Sequence, residues 1–266
     1  MSTIDVRIEN AIATITLNRP EALNALNTVM MDELGAAASR VEHDASVRAV
    51  VITGAGKHFM AGGDVKFFAE TVAATPNATD RRVLFEQFVA RLHPVMTSLR
   101  RMPKPVLASV RGAAAGFGLS LMMAADLAIV AEDSYFTLAY ANIGTSPDGS
   151  STYVLPRLVG VKRAMEIALL GDRFDAKQAL AIGLVNRVVP AAELDAQTRA
   201  LAERLASGPT AVLGRTKNLI NRSLENDYDT QLQLEAESFA ACAAGEDFQR
   251  GVTAFVEKKK AEFLGR

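Results

Sequence analysis

The sequence feature that most constrains the fold is a glycine-rich junction between two apolar segments, at residues 111–126 (RGAAAGFGLSLMMAAD). Residues 105–110 (PVLASV) have the composition of a buried strand, and residues 117–125 have that of a buried helix. A strand that turns directly into a helix leaves the first N–H groups of the helix unpaired and pointing inward. The junction therefore predicts a pocket whose hydrogen-bond donors belong to the main chain.

A second junction of this kind lies earlier in the chain. Residues 48–53 (RAVVIT) are rich in β-branched side chains and are followed by glycines, which is typical of a buried strand. Residues 59–68 (FMAGGDVKFF) then place two glycines before an acidic residue and a helix start, so we expect this turn to face the first one. Residues 69–80 are small and polar and contain Pro76, which predicts a mobile loop that gates the pocket.

The remaining segments alternate strand and helix patterns, which indicates an α/β fold. Asp148 follows Pro147 at the position of a helix N-cap, and from residue 191 onward the apolar spacing is helical throughout. The other predicted elements are a hairpin of Ile4–Glu9 and Ile12–Leu17, helices from Leu23 to His43 and over residues 81–102, 161–170 and 176–184, and strands at residues 127–130, 135–138 and 185–189.

Composition excludes several classes of protein. The chain has 266 residues, 49% hydrophobic and 22% charged, with a net charge of −1, which fits a large globular domain and disfavours binding to nucleic acid. Because no apolar run approaches the roughly 18 residues of a membrane helix and the first residues do not resemble a signal peptide, we expect a cytoplasmic protein without membrane contact. The single cysteine, Cys242, and three scattered histidines predict neither a disulfide nor a metal site.

Four motifs occur in the order and at the spacings of one enzyme family: NRPEALNAL, FMAGGDVKFF, KPVLASVRGAAAGFGLSLMMAADLAI and DAKQALAIGLVNRVVP. Over nearly its whole length the chain resembles the crotonase (enoyl-CoA hydratase/isomerase) superfamily. The resemblance implies a spiral of ββα units in residues 1–200 that carries an acyl-CoA site. It also implies a helical region in residues 201–266 that makes oligomer contacts and forms part of the CoA site, in a homotrimer or hexamer. Coenzyme A would be part of the substrate, so no separate cofactor is implied.

The resemblance assigns two main-chain donors to the thioester oxygen. By their place in the motifs, these are the N–H groups of Gly63 and Phe117. Phe117 stands where the family more often has a small residue, so its ring either trims the acyl pocket or fills the core. The residues implied in substrate binding are Ala22, Leu23, Ala61, Gly62, Asp64, Val65, Ser120 and Tyr140.

The carboxylates implied by the motifs favour isomerisation over hydration. Hydratases of the family use two glutamates, one to activate water and one to deliver a proton. The matching positions are Ser120 and Tyr140, which carry no carboxylate, whereas Asp148 stands where several isomerase branches place their acid. One carboxylate suffices to move a proton from C2 to C4. The chain therefore resembles the enoyl-CoA isomerases, including the type that isomerises a ring-epoxide acyl-CoA.

Other interpretations remain open at this point. The 4-chlorobenzoyl-CoA dehalogenase branch has a nucleophilic aspartate at the Asp148 position and a histidine near His93, although its tryptophan is replaced by Tyr140. A hydratase, or a non-catalytic or RNA-binding homologue, are further alternatives. Asp148 and Asp64 are also plausible helix caps. Lys258 lies in a run of three lysines that is either a solvated helix face or, across a subunit boundary, a contact for CoA phosphates.

Overall fold

A computed structural model describes residues 2–266 of the chain. Its strands form a six-stranded sheet in the order β1-β2-β3-β4-β6-β9 and a three-stranded sheet in the order β5-β7-β8. The first pair of the larger sheet is antiparallel and its other pairs are parallel. The strands are β1 Ile4–Glu9, β2 Ile12–Leu17, β3 Ala49–Gly54, β4 Val106–Val110, β5 Ala113–Ala115, β6 Leu127–Ala131, β7 Tyr135–Thr137, β8 Phe174–Asp175 and β9 Arg187–Val189.

Helices cover both faces of the larger sheet and continue to the C-terminal region. They are α1 Thr28–His43, α2 Val65–Ala74, α3 Ala78–Ala90, α4 His93–Arg101, α5 Phe117–Ala124, α6 Ser151–Val159, α7 Val161–Leu170, α8 Ala176–Ala181, α9 Leu194–Ala206, α10 Thr210–Ser223, α11 Tyr228–Ala243 and α12 Glu246–Val256. No helix within residues 2–266 is long and apolar enough to cross a membrane.

The central strands are buried on both faces, as parallel strands between helical layers must be. Val50 and Ile52 of β3 point into the main core, which also contains side chains of α1, α4 and α5. The intervening Val51 points to the opposite face, into a smaller cluster that contains Leu194 and Leu201 of α9. This alternation follows from the two-residue period of a strand, and it makes α9 the cover of the second face. The predicted division at residue 200 falls inside α9 and stays a prediction.

The predicted hairpin is confirmed, with Ile4 opposite Leu17 and Glu9 opposite Ile12. The prediction of a helix from Leu23 is wrong, because α1 begins at Thr28 with the side chain of Asn27 accepting a hydrogen bond from Met30 N. Leu23 and Asn24 instead have φ angles of 53° and 56° in a tight loop. Two consecutive residues with left-handed backbone angles cannot be part of a right-handed helix. The apolar side chains of this segment nevertheless keep helical spacing, which explains the wrong prediction.

The prediction of a mobile loop at residues 69–80 is also wrong. Helix α2 continues to Ala74, and α3 begins at Ala78 with the side chain of Asn77 as its cap. The connection is therefore only three residues long. Small residues such as those of this segment suit a helix as well as a loop, since alanine is the best helix former.

The single helix predicted over residues 81–102 is two helices, α3 and α4, which meet near Leu92. Pro94 lies in the first turn of α4. Proline lacks an N–H group and its ring clashes with the carbonyl four residues earlier, which here belongs to Ala90, the last residue of α3. The apolar spacing continues across the break, and for that reason the pattern alone suggested one helix.

Candidate active site

The two glycine junctions lie side by side, as predicted. The Met60 N–H donates to the carbonyl of Ala113 at 3.0 Å, and the Ala115 N–H donates to the carbonyl of Met60 at 2.9 Å. A Cβ atom at Gly62, where φ is +97°, would lie only 3.2 Å from the carbonyl oxygen of Ala115. A larger residue at position 62 would therefore force the two turns apart.

A cavity of about 1060 Å³ opens beside these paired turns. Its walls come from both turns, from α2 and α3, and from the segment between β7 and α6. Most of the lining side chains are apolar. Among the lining residues within the described range 2–266, Asp148 is the one carboxylate.

The N–H groups of Gly63 and Phe117 have no hydrogen-bond acceptor within residues 2–266, and both residues line the cavity. The peptides around Gly63 are fixed, because Leu26 N–H donates to Gly62 O at 2.8 Å and Asp64 N–H donates to Leu26 O at 2.9 Å. Phe117 is the first residue of α5, so its N–H group lies at the positive end of the helix dipole. This arrangement can accept a carbonyl oxygen and stabilise negative charge on it.

Asp148 is half-buried in a small cluster of hydroxyl groups. The Tyr140 hydroxyl donates a hydrogen bond to Asp148 Oδ1. Ser120 Oγ lies 3.2 Å from the backbone carbonyl oxygen of Asp148 and 3.4 Å from the hydroxyl of Tyr140. Tyr140 thus holds Asp148 by its carboxylate, and Ser120 holds it by its backbone carbonyl.

Burial raises the pKa of Asp148, and the hydrogen bond from Tyr140 and the charge of His93 offset only part of this rise. Burial, together with the negative charge of Asp148, also holds the pKa of Tyr140 well above its usual value. The phenol therefore stays protonated and remains a donor. A carboxylate with a raised pKa is a stronger base than one in water, which suits proton transfer from carbon.

The prediction that Asp148 is a helix N-cap is wrong. Helix α6 begins at Ser151, its cap residue is Ser150, and no side chain caps it. Only the backbone carbonyl of Asp148 takes part, accepting hydrogen bonds from Ser151 N at 3.1 Å and Ser151 Oγ at 2.8 Å. The carboxylate is therefore free of a structural role at the helix end and faces Tyr140.

The ring of Phe117 is 2% exposed and packs against the Asp148 loop. A Cβ atom at Gly149, where φ is +57°, would lie 2.9 Å from Phe117 Cδ2 and 2.9 Å from Ser120 Cβ. The ring therefore fills the space beneath Gly149, and the position of Asp148 depends on this contact. Phe117 also lines the cavity. The residue therefore contributes to the core and also to the cavity wall, the two places that the sequence left open for its ring.

The structure divides the predicted substrate-binding residues into two groups. Ala61, Gly62, Val65 and Tyr140 line the cavity, as does His93. Not among the lining residues are Ala22, Leu23, Asp64, Ser120 and Lys258. Ser120 is fully buried with its Oγ 3.4 Å from the Tyr140 hydroxyl, and Lys258 is exposed beyond α12. The roles expected for these residues stay predictions. The carbonyl of Leu23 accepts a hydrogen bond from Ala61 N at 3.0 Å, so this loop supports the turn.

Asp64 acts on the turn rather than on the cavity. Its Oδ1 atom accepts hydrogen bonds from Lys66 N and Phe67 N, which caps α2, and its Oδ2 atom pairs with Arg19 at 3.1 Å. Asn24, which is fully buried, donates to the carbonyls of Ala55 and His58. The sequence prediction included neither Arg19 nor Asn24. A signal for Asn24 was its polar side chain among the apolar residues at the start of the predicted helix.

An aromatic wall was also missing from the sequence prediction. Phe68 of α2 lies 5.6 Å from Phe85 and 5.7 Å from Phe88 of α3, centroid to centroid, and all three line the cavity. These contacts form because residues 69–80 do not separate α2 from α3 by a long loop. No group of three or more His, Cys, Asp or Glu side chains that could hold a metal ion occurs in the described part of the chain, residues 2–266.

Comparison with known proteins agrees with this fold. Residues 7–266 match the family model of enoyl-CoA hydratase/isomerase. The 1,2-epoxyphenylacetyl-CoA isomerase of Escherichia coli is 37% identical over 100% of both chains. The short-chain-enoyl-CoA hydratase of Clostridium acetobutylicum is 34% identical over 98% of this chain and 97% of its own.

The solved structure of a Mycobacterium abscessus protein assigned as an enoyl-CoA hydratase/isomerase superposes with a TM-score of 0.93. It is 34% identical and covers 99% of this chain and 100% of its own. The chain belongs to the enoyl-CoA hydratase/isomerase family, the crotonase superfamily. The predicted α/β fold, a spiral of ββα units with a helical C-terminal region, is confirmed.

Proposed function

We propose that this enzyme shifts a carbon–carbon double bond in an acyl-CoA thioester through an enolate intermediate. The observation that carries the proposal is the single carboxylate of the cavity, Asp148, where hydration would need two acidic groups. Its relatives include both an isomerase and a hydratase, so the family by itself supports either reaction.

In the proposed reaction the thioester oxygen accepts hydrogen bonds from the N–H groups of Gly63 and Phe117. Asp148 takes a proton from C2, and the electron pair of that C–H bond moves into the enolate. The protonated Asp148 then returns the proton to C4, and the double bond that was between C3 and C4 lies between C2 and C3. Each oxyanion donor contributes about 2.7–4 kcal/mol in enzymes where one has been removed. No cofactor is needed.

Replacement of Asp148 by Asn tests the assignment. The amide still accepts the hydrogen bond from Tyr140 but cannot take a proton, so the turnover number for a 3-enoyl-CoA should fall by about 10²–10⁴. The affinity for the thioester, measured by calorimetry, should stay nearly unchanged. An isomerisation rate equal to that of the unmodified enzyme would refute the role of Asp148.

Ring-epoxide isomerisation is the second candidate, and one observation favours it. The Escherichia coli relative is by name an isomerase of a ring epoxide, and Asp148 with an oxyanion hole suits both substrates. Hydrolytic dehalogenation of an aryl-CoA, with Asp148 as nucleophile and His93 beside it in the cavity, is a weaker alternative. Release of halide from an aryl-CoA would establish hydrolytic dehalogenation. Fast addition of water to crotonyl-CoA would instead establish hydratase activity.

The other expectations also remain proposals. Large apolar side chains are exposed on α11 and α12, with Phe239 at 68% and Phe255 at 85%, which supports burial of this region in a homotrimer or hexamer. Light scattering at the expected subunit number would test it. A cytoplasmic location stays a proposal. A net charge of −1 supports an enzyme that binds no nucleic acid, and a gel-shift assay with RNA tests the alternative of an RNA-binding homologue.

A further inference from the structure

Two arginines of α3, Arg81 and Arg82, belong to the cavity and have no part in the chemistry described above. The residues of α3 that line the cavity recur at spacings of three and four, so they form one face of the helix. They are Ala78, Arg81, Arg82, Phe85, Phe88 and Val89. The two cations therefore share the face of the aromatic wall rather than the opposite, solvent-facing side of the helix.

Neither arginine is neutralised by the protein. Arg81 is half-buried, and its Nη1 atom donates to the backbone carbonyl of Thr75 at 3.2 Å, which holds its guanidinium at the connection between α2 and α3. Arg82 is exposed. None of the ion pairs within residues 2–266 involves Arg81 or Arg82. The donors that remain are available to an anion from a ligand.

The arginines lie toward the opposite end of α3 from the end nearest His93 and the proposed base, Asp148. Arg82 and Val89 are seven residues apart, which corresponds to about 10 Å along the axis of α3. His93, which follows that end of the helix, is close enough to Asp148 for its charge to act on the carboxylate. Between the two ends the wall is apolar and includes Phe85 and Phe88. A ligand that extends from Asp148 to the two arginines needs an apolar middle section and a negatively charged terminal group.

We propose that Arg81 and Arg82 bind a carboxylate at the distal end of the acyl group, so that the enzyme prefers ω-carboxyacyl-CoA thioesters to uncharged ones. This proposal rests on the proposed action on acyl-CoA. An acyl chain with a terminal carboxylate matches the apolar wall followed by two cations. A CoA phosphate does not, because the pantetheine chain that leads to it is polar and carries amides that an aromatic wall leaves unpaired.

The test measures binding of two saturated thioesters that the enzyme cannot isomerise, octanoyl-CoA and the mono-CoA thioester of octanedioic acid. By calorimetry the unmodified enzyme should bind the second about tenfold more tightly, the value of one well-placed charged hydrogen bond. In the double variant Arg81→Met, Arg82→Met this ratio should fall to about one, whereas the affinity for octanoyl-CoA should not change. The variant with lysine at both positions should recover part of the ratio, because it keeps the charges.

Arg199→Met is the matched control, since Arg199 is exposed on α9 and does not line the cavity, and it should keep the full ratio. Equal binding of the two thioesters by the unmodified enzyme would overturn the proposal. An equal loss of affinity for both thioesters in the double variant would also overturn it, because it would assign the arginines to a CoA phosphate. Since binding is measured without turnover, failure here is distinct from failure of the isomerase assignment, which would leave the binding ratio in place.

Discussion

Replacement of Gly149 by Ala should reduce both stability and activity, because this residue separates Asp148 from the ring of Phe117. The new Cβ atom would lie 2.9 Å from Phe117 Cδ2 and 3.0 Å from Phe117 Cε2. It would also lie 2.9 Å from Ser120 Cβ, so the side chains of Phe117 and Ser120 both crowd it. Either the ring or the Asp148 loop must shift.

The cost has two parts that a control variant separates. A non-glycine residue in a left-handed conformation costs roughly 1–2 kcal/mol, and this applies equally to Gly144→Ala, where φ is +72° and nothing lies within 4 Å of the added Cβ. Overpacking adds about 1–3 kcal/mol at position 149 only. The free energy of unfolding of Gly149→Ala should therefore be lower than that of Gly144→Ala by about 1–3 kcal/mol.

The turnover rate of Gly149→Ala should fall by a larger factor than its loss of folded protein explains. If the loop moves and carries Asp148 with it, a displacement of about 1 Å costs on the order of 10²-fold in rate. The measurements are urea unfolding and turnover of a 3-enoyl-CoA for each single variant and for the double variant Gly149→Ala, Phe117→Leu. The smaller side chain at position 117 makes room, so the double variant should be more stable than the sum of the two single effects predicts. Additive effects, or equal stability of the two glycine variants, would refute this reasoning.

Two further predictions concern the charges. Tyr140→Phe removes a hydrogen bond that lowers the pKa of Asp148, so this pKa should rise further and the acidic limb of the rate profile should move to higher pH; an unmoved limb contradicts this. Lys217 lies 2.9 Å from Asp126 in a mostly buried ion pair, and Lys217→Met should cost about 3–5 kcal/mol of unfolding free energy because it leaves Asp126 unpaired. The exposed control Lys177→Met should stay within about 0.5 kcal/mol, and an equal effect of both would contradict the prediction.

The two strands beside the pocket, β3 and β4, were predictable from the sequence because each is a short apolar run that ends at or just before a glycine, Gly54 and Gly112. The pairing of the two glycine turns followed from the same pattern. The errors at residues 69–80 and at Pro94 have local causes, whereas the error at the start of α1 depends on contacts distant in sequence. Helix α1 begins at Thr28 rather than at Leu23, since the side chain of Asn24 donates to the carbonyls of Ala55 and His58, contacts that local spacing does not reveal.

The site was predictable in its residue types and less so in its contacts. Asp148 was found by its motif position, but its bond with Tyr140 and its separation from the cap of α6 required coordinates. The aromatic wall could not be read from the sequence, because it depends on packing of α2 against α3 across a connection that looked like a loop. The cavity-lining side chains of α3 follow helical spacing, but no spacing along the chain relates them to those of α2.

The backbone ladder between the glycine turns, in which Met60 bonds to both Ala113 and Ala115, has a consequence for how this family can diversify. The distance between the two proposed thioester donors is set by these main-chain hydrogen bonds and by the close approach of the turns that Gly62 allows. Side chains at positions 120, 140 and 148 are thus free to vary in charge without disturbing that distance. Under the proposed mechanism, a new reaction can arise by relocating one carboxylate, while stabilisation of the enolate by the two main-chain donors is kept.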